Sequence, residues 1–242
     1  MIRRLIASML LLIVLGCASG PPIHPWTGHD DALARIRQRT ASVNSMQGQC
    51  RVRLTRARGN NVRLDGAVVW RRPDQVRVRL WKFSHAVIDF ARDGQDAWLW
   101  HETGLPESVR SWWRQPDSGV AAAARSLFAG SDDGREGAIE DDGGSTFGWR
   151  RALDGGRSVL VLIDRPTHTV KQIRVEDAGT TVGLVVTLDR YRRIDGHVWP
   201  LRWRFEAGEG AIEIDFDPGA LHLNVDLPAS ALRPSRRAVK VR

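Results

Sequence analysis

Between Gln49 and Trp100 the chain falls into runs in which side chains alternate with a period of two. Cys50, Val52 and Leu54 interleave with Arg51, Arg53 and Thr55; Leu64, Gly66, Val68 and Trp70 with Arg63, Asp65, Ala67 and Val69; Val76, Val78 and Leu80 with Arg77, Arg79 and Trp81. A period of two marks strands with one face buried and one wet. Gly59-Asn60-Asn61, Arg72-Pro73-Asp74, Ser84-His85 and Asp93-Gly94-Gln95-Asp96 separate the runs, and all are rich in residues that accept turn dihedrals. Connections this short force antiparallel neighbours, so the stretch predicts one continuous meander.

Ahead of it, Leu33, Ile36, Thr40 and Val43 recur at spacings of three and four, with Asp30-Asp31 at the positive end of the dipole. This predicts an amphipathic helix suited to cover the sheet. A second helix is predicted over Asp117 to Gly130, with Val120, Ala123, Ala124, Leu127 and Phe128 as its stripe. Strand patterns return at Thr146–Ala152, Ser158–Ile163, Val170–Asp177, Thr181–Ile194, Val198–Glu206 and Ala211–Phe216, divided by Gly- and Asp-rich turns. The fold class is therefore mainly β with covering α: a half-open antiparallel β-barrel of about eleven strands, with two or three helices on its concave side. Inward positions Val68, Trp70, Val78 and Leu80, followed by Phe90, are the candidate ligand-binding wall.

Charge changes this picture little. The chain has 36 Lys+Arg against 28 Asp+Glu, a net +8, and its lysines are Lys82, Lys171 and Lys240 alone. Most arginines fall on outward strand positions, where a solvated face is expected. No ribonucleoprotein or helix-turn-helix pattern supports nucleic-acid binding. Residues 229–242 form a basic tail suited to anionic headgroups.

The N-terminus alters the picture more. Met1-Ile2-Arg3-Arg4 and the apolar run Leu5 to Leu15 read as an export signal, followed directly by Val14-Leu15-Gly16-Cys17. This resembles the bacterial lipobox, which implies cleavage after residue 16, acylation of Cys17 and anchoring by more than one chain. Ala18 and Ser19 follow, so the expected address is the periplasmic face of an outer membrane, reached through a lipidated linker over 17–28. Cys50, left without a partner, falls on the apolar phase of its strand and reads as core.

Enzyme chemistry finds no foothold. Gly-x-Ser-x-Gly, Walker A, Gly-x-Gly-x-x-Gly and His-Glu-x-x-His patterns are missing, and the 7 histidines lie scattered without metal-ligand spacing. No cofactor and no metal are expected. Trp112-Trp113, in a polar setting, and Phe83 are the candidates for membrane or partner contact.

Arg92-Asp93-Gly94-Gln95-Asp96-Ala97-Trp98-Leu99-Trp100, and later Tyr191 to Pro200 with Asp195-Gly196, resemble the paired hairpins of the LolA/LolB-like superfamily. The order helix, meander, helix, meander is similar over a domain spanning 29–228. The resemblance implies a non-enzymatic carrier: a lipid-anchored lipoprotein that binds an acyl chain or other hydrophobic ligand, with a role in lipoprotein or lipid transfer. Its partners would be that lipid and the membrane. A structural or assembly lipoprotein that docks to another envelope protein is the alternative.

Overall fold

The computed structural model describes residues 20–55, 61–94, 96–102, 137–176, 182–208 and 210–241. One helix, α1 (His29–Ala41), precedes five strands: β1 (Ser45–Thr55), β2 (Asn61–Arg71), β3 (Gln75–Lys82), β4 (His85–Asp93) and β5 (Asp96–His101). Then come β6 (Ala138–Glu140), β7 (Thr146–Ala152), β8 (Ser158–Asp164), β9 (Thr169–Glu176), β10 (Val182–Ile194), β11 (His197–Ala207) and β12 (Gly210–Leu223). A short helix α2 (Ala229–Leu232) and strand β13 (Val239–Val241) end the chain. All thirteen described strands form one open, unclosed sheet in the order β13-β5-β4-β3-β2-β1-β12-β11-β10-β9-β8-β7-β6. The two short edge strands, β6 and β13, account for the difference from the expected strand number.

The alternation read from sequence is the register of the sheet. Val68 lies opposite Val78, Gly66 opposite Leu80 and Trp70 opposite Val76, while Val78 faces Phe90 on its other side. A Cβ on Gly66 would approach the Leu80 Cδ2 to 2.7 Å and the Cys50 Sγ to 3.0 Å, so glycine here makes room for leucine on the neighbouring strand. Cys50 is buried, and burial pushes its thiol up to about 12.

The two meanders meet where β1 pairs with β12. That seam holds the largest departure from the sequence reading. Strand β12 does not stop at Phe216 but continues to Leu223, with Asp217-Pro218-Gly219-Ala220 looped out between the pairs Cys50↔Phe216 and Gly48↔Leu221. A proline and a glycine end most strands. Here they form a bulge instead, because Leu221 and Leu223 return to the buried face beside Met46 and Gly48.

The outer face also departs from expectation. Arg51, Arg53 and Arg79 are exposed as expected, but Arg77 and Asp89, on the outward phase of β3 and β4, are not: their side chains retain 12% and 3% exposure. The C-terminal segment covers them. Leu227 and Leu232 are buried, Arg77 Nη1 donates to the carbonyl of Ala231 at 3.3 Å, and Val239–Val241 extend the sheet beside β5. The basic C-terminal segment thus packs on the sheet, because Leu232 and the main chain of β13 have sites to occupy on it.

Candidate functional site

The described wall candidates share one face. Val68, Trp70, Val78 and Leu80 are buried, and Phe90 is partly buried against the same core. Phe83 sits at the β3–β4 turn with φ 49° and is 83% exposed, with the Lys82 ammonium 5.5 Å from its ring centre. A phenylalanine this open to water lies outside the core altogether. Cys17, Trp112, Trp113 and the predicted second helix fall outside the described residues.

Open space lies on the other half of the sheet. A cavity of about 40 Å³ separates α1 from β9, β10 and β11, lined by Ile36, Arg39, Thr40, His168, Val170, Tyr191, Val198, Trp199, Pro200 and Trp203. Helix α1 reaches this position because its apolar stripe, Ala32 and Leu33 with Ile36, packs into the core, leaving Arg39 on the flank. Arg39 Nη1 donates to the carbonyl of His168 at 3.1 Å, and at the helix end Arg72 donates to the carbonyls of Thr40 and Val43 at 2.6 and 2.8 Å. Tyr191 closes the floor by donating its hydroxyl to the carbonyl of Val170 at 2.5 Å. Beyond Trp203, whose ring centre is 5.0 Å from that of Phe216, the apolar surface continues to the seam.

His168 is the unusual member of the lining. It is fully buried, holds φ 49°, and neither ring nitrogen has a hydrogen-bond partner among the described residues. Its ring stacks on that of His24 with centres 5.1 Å apart. His24 belongs to the segment read as linker, which is docked here: its amide donates to the carbonyl of Pro166 at 2.7 Å. Trp26 packs edge-on to Phe147 at 5.4 Å beneath the Arg165 guanidinium, and His29 Nε2 meets Asp141 at 2.5 Å. The N-terminal arm therefore joins α1 to the β8–β9 turn. Among the described residues no group of three or more His, Cys, Asp or Glu side chains could hold a metal.

Burial holds both His168 and His24 below the ordinary histidine value of 6.5, with Arg35 and Arg39 adding repulsion and Asp31 opposing it. The unfolded chain binds these protons near that value while the folded ring resists them, so stability is complete above about pH 6.5 and falls as pH drops toward the lower folded value. Chemical denaturation between about pH 7.5 and 5 is expected to show this loss, with a slope of up to about 1.4 kcal/mol per pH unit for each such histidine. His168→Asn, which tolerates the left-handed backbone, is expected to flatten the slope.

No sequence signal marks this assembly. Arg39 and His168 are 129 residues apart, and the histidines read as scattered turn residues are brought together only by the docking of the arm and of α1 on the β8–β9 turn. No family model and no curated protein matches the chain. Solved structures do. A LolA superfamily protein from Nitrosomonas europaea is 12% identical with a TM-score of 0.59, over 84% of this chain and 96% of that one. A DUF1329 family protein from Desulfovibrio piger is 14% identical with a TM-score of 0.58, over 84% and 97%. A domain described as an outer membrane lipoprotein-sorting protein from Vibrio parahaemolyticus is 12% identical with a TM-score of 0.54, over 83% and 94%. At these identities the likeness is one of architecture: the half-open sheet with α1 laid against it shares the fold of these solved structures.

Proposed function

We propose that this chain is an outer-membrane lipoprotein, anchored on the periplasmic side through Cys17, whose half-barrel holds an acyl chain or similar amphiphile for lipid or lipoprotein transfer. The observation that carries this reading is the cavity between α1 and β9–β11, walled by Ile36, Val170, Val198, Trp199 and Trp203. Sequestration needs no reaction. Each buried methylene contributes about 0.8 kcal/mol, so an apolar wall with modest shape fit retains a long chain. Val68, Trp70, Val78, Leu80 and Phe90 continue the wall on the N-terminal half, while Phe83, Trp112 and Trp113 meet the membrane or a protein partner.

The test is native mass spectrometry of residues 18–242, purified without the lipid anchor. A co-purified acyl species, or uptake of an added one, is the expected result. Val198→Trp, which fills the cavity from one wall, and Val78→Trp on the other half are each expected to lower uptake about tenfold or more while the far-ultraviolet spectrum is unchanged. A clean mass with no uptake at any lipid ratio overturns the reading.

A further inference from the structure

We infer that the N-terminal arm, residues 20–28 docked on the β8–β9 turn, is the surface by which the domain rests on the membrane that holds its anchor. This rests on the reading of Cys17 as the lipid-bearing residue and adds to it the face and the orientation of contact.

Two observations converge. The first is an apolar patch. Of the five large hydrophobic side chains exposed among the described residues, two belong to the arm, Ile23 at 80% and Trp26 at 40%. Pro25 and Pro166 are exposed with them, drawn together by the His24 amide on the Pro166 carbonyl. Neighbouring apolar side chains held in water mark a contact surface.

The second is the covalent path. Ile23 stands six positions after Cys17, so the chain itself limits their separation to about 21 Å. With its acyl chains in a bilayer, Cys17 lies at the lipid interface and keeps the patch close to it. Phe83 has no such tie. The β8–β9, β10–β11 and β2–β3 turns share one end of the antiparallel sheet, and the β3–β4 turn that carries Phe83 lies at the other. A strand of eight residues such as β3 spans about 26 Å. Seating the arm on lipid therefore turns Phe83 away from that membrane and leaves it to a protein partner.

The chemistry of the patch suits lipid. Trp26 carries the Arg165 guanidinium 4.8 Å from its ring centre, and an amphipathic ring beside a cation belongs at headgroup level. The neighbouring acids are engaged: Asp141 by Arg165 and His29, Asp31 by Arg35 at 2.8 Å. Lipid contact thus strands neither carboxylate without a partner. Pro25 and Pro166 have no N–H to desolvate, and the Pro166 carbonyl is already taken by His24.

The experiment couples residues 17–242 through the Cys17 thiol to a maleimide phospholipid in phosphatidylcholine vesicles, so that contact is read whether or not a cell acylates the chain. Cys50 is buried and does not compete. Hydroxyl-radical footprinting with peptide mass spectrometry then compares the coupled chain with the free one. Modification of Trp26 is expected to fall several-fold on coupling, and that of Phe83 to stay unchanged. Ile23→Asp, at a side chain too exposed to support the core, is expected to return Trp26 to its free-chain rate. Withdrawing one large aliphatic group from lipid shifts the contact equilibrium by about tenfold or more. Protection of Phe83, with or without Trp26, or of neither, overturns this inference and leaves the anchor reading intact. That reading has its own readout in the mass of the mature chain from bacterial membranes. A Cys17 free of acyl groups there overturns it, and this inference with it.

Discussion

Asp89→Ala is expected to lower the unfolding free energy by about 3–5 kcal/mol, because it strands a buried guanidinium rather than removing a surface contact. Arg77 reaches both oxygens of Asp89, Nε at 2.9 Å and Nη2 at 2.8 Å, and its Nη1 lies on the carbonyl of Ala231. The C-terminal segment seals the pair from water. Without the carboxylate, Arg77 either stays buried and uncompensated or turns out and displaces α2. A double replacement, Arg77→Leu with Asp89→Leu, is expected to recover most of the loss, since neither charge then needs a partner. Urea denaturation of the variants checks both statements. A loss below about 1 kcal/mol for Asp89→Ala places the pair among ordinary solvated bridges and rejects the sealing role of the C-terminus.

Phe216→Ala is expected to cost about 3–5 kcal/mol, the range for emptying a fully buried aromatic site. Phe216 stands at the seam where β1 joins the second meander to the first, opposite Cys50 and against the Trp203 ring. Its ring also occupies the space that a Cβ on Gly48 would enter, at 3.0 Å, so phenylalanine and glycine fit each other across the bulge. The cavity left in the variant has little freedom to collapse, because β1 is held on both sides by β2 and β12. Thermal and urea unfolding are expected to remain a single transition shifted to lower midpoint. Separate unfolding of residues on β2–β4 and on β8–β10, followed by hydrogen exchange, would show instead that the seam does not couple the two halves.

These predictions stand on features of different origin, and the contrast shows what each level of organisation decides. The strands of the first meander, their inward residues, the buried Cys50 and the helix ahead of them were determined by sequence alone. The reason is physical: period-two and period-3.6 patterns are local, and a one-residue slip would turn every apolar side chain into water. Even the pairing of Val68 with Val78 follows from the short turn between their strands. The open barrel was legible for the same reason, as a succession of short connections with a helix in front.

Tertiary structure decided what no local pattern encodes. Asp89 and Arg77 look like outward, solvated residues until the chain returns from β12 and covers them. Pro218 and Gly219 read as a strand end until Leu221 and Leu223 are needed on the inner face across from β1. The candidate site depends on this level most of all. Arg39 is an ordinary helix arginine and His168 an ordinary turn histidine in sequence; only the packing of α1 and of the N-terminal arm against β8–β11 withdraws both from water around one cavity. Burial of a polar group is a property of everything that surrounds it, and here those surroundings come from segments distant in sequence, as the 129 positions between Arg39 and His168 show.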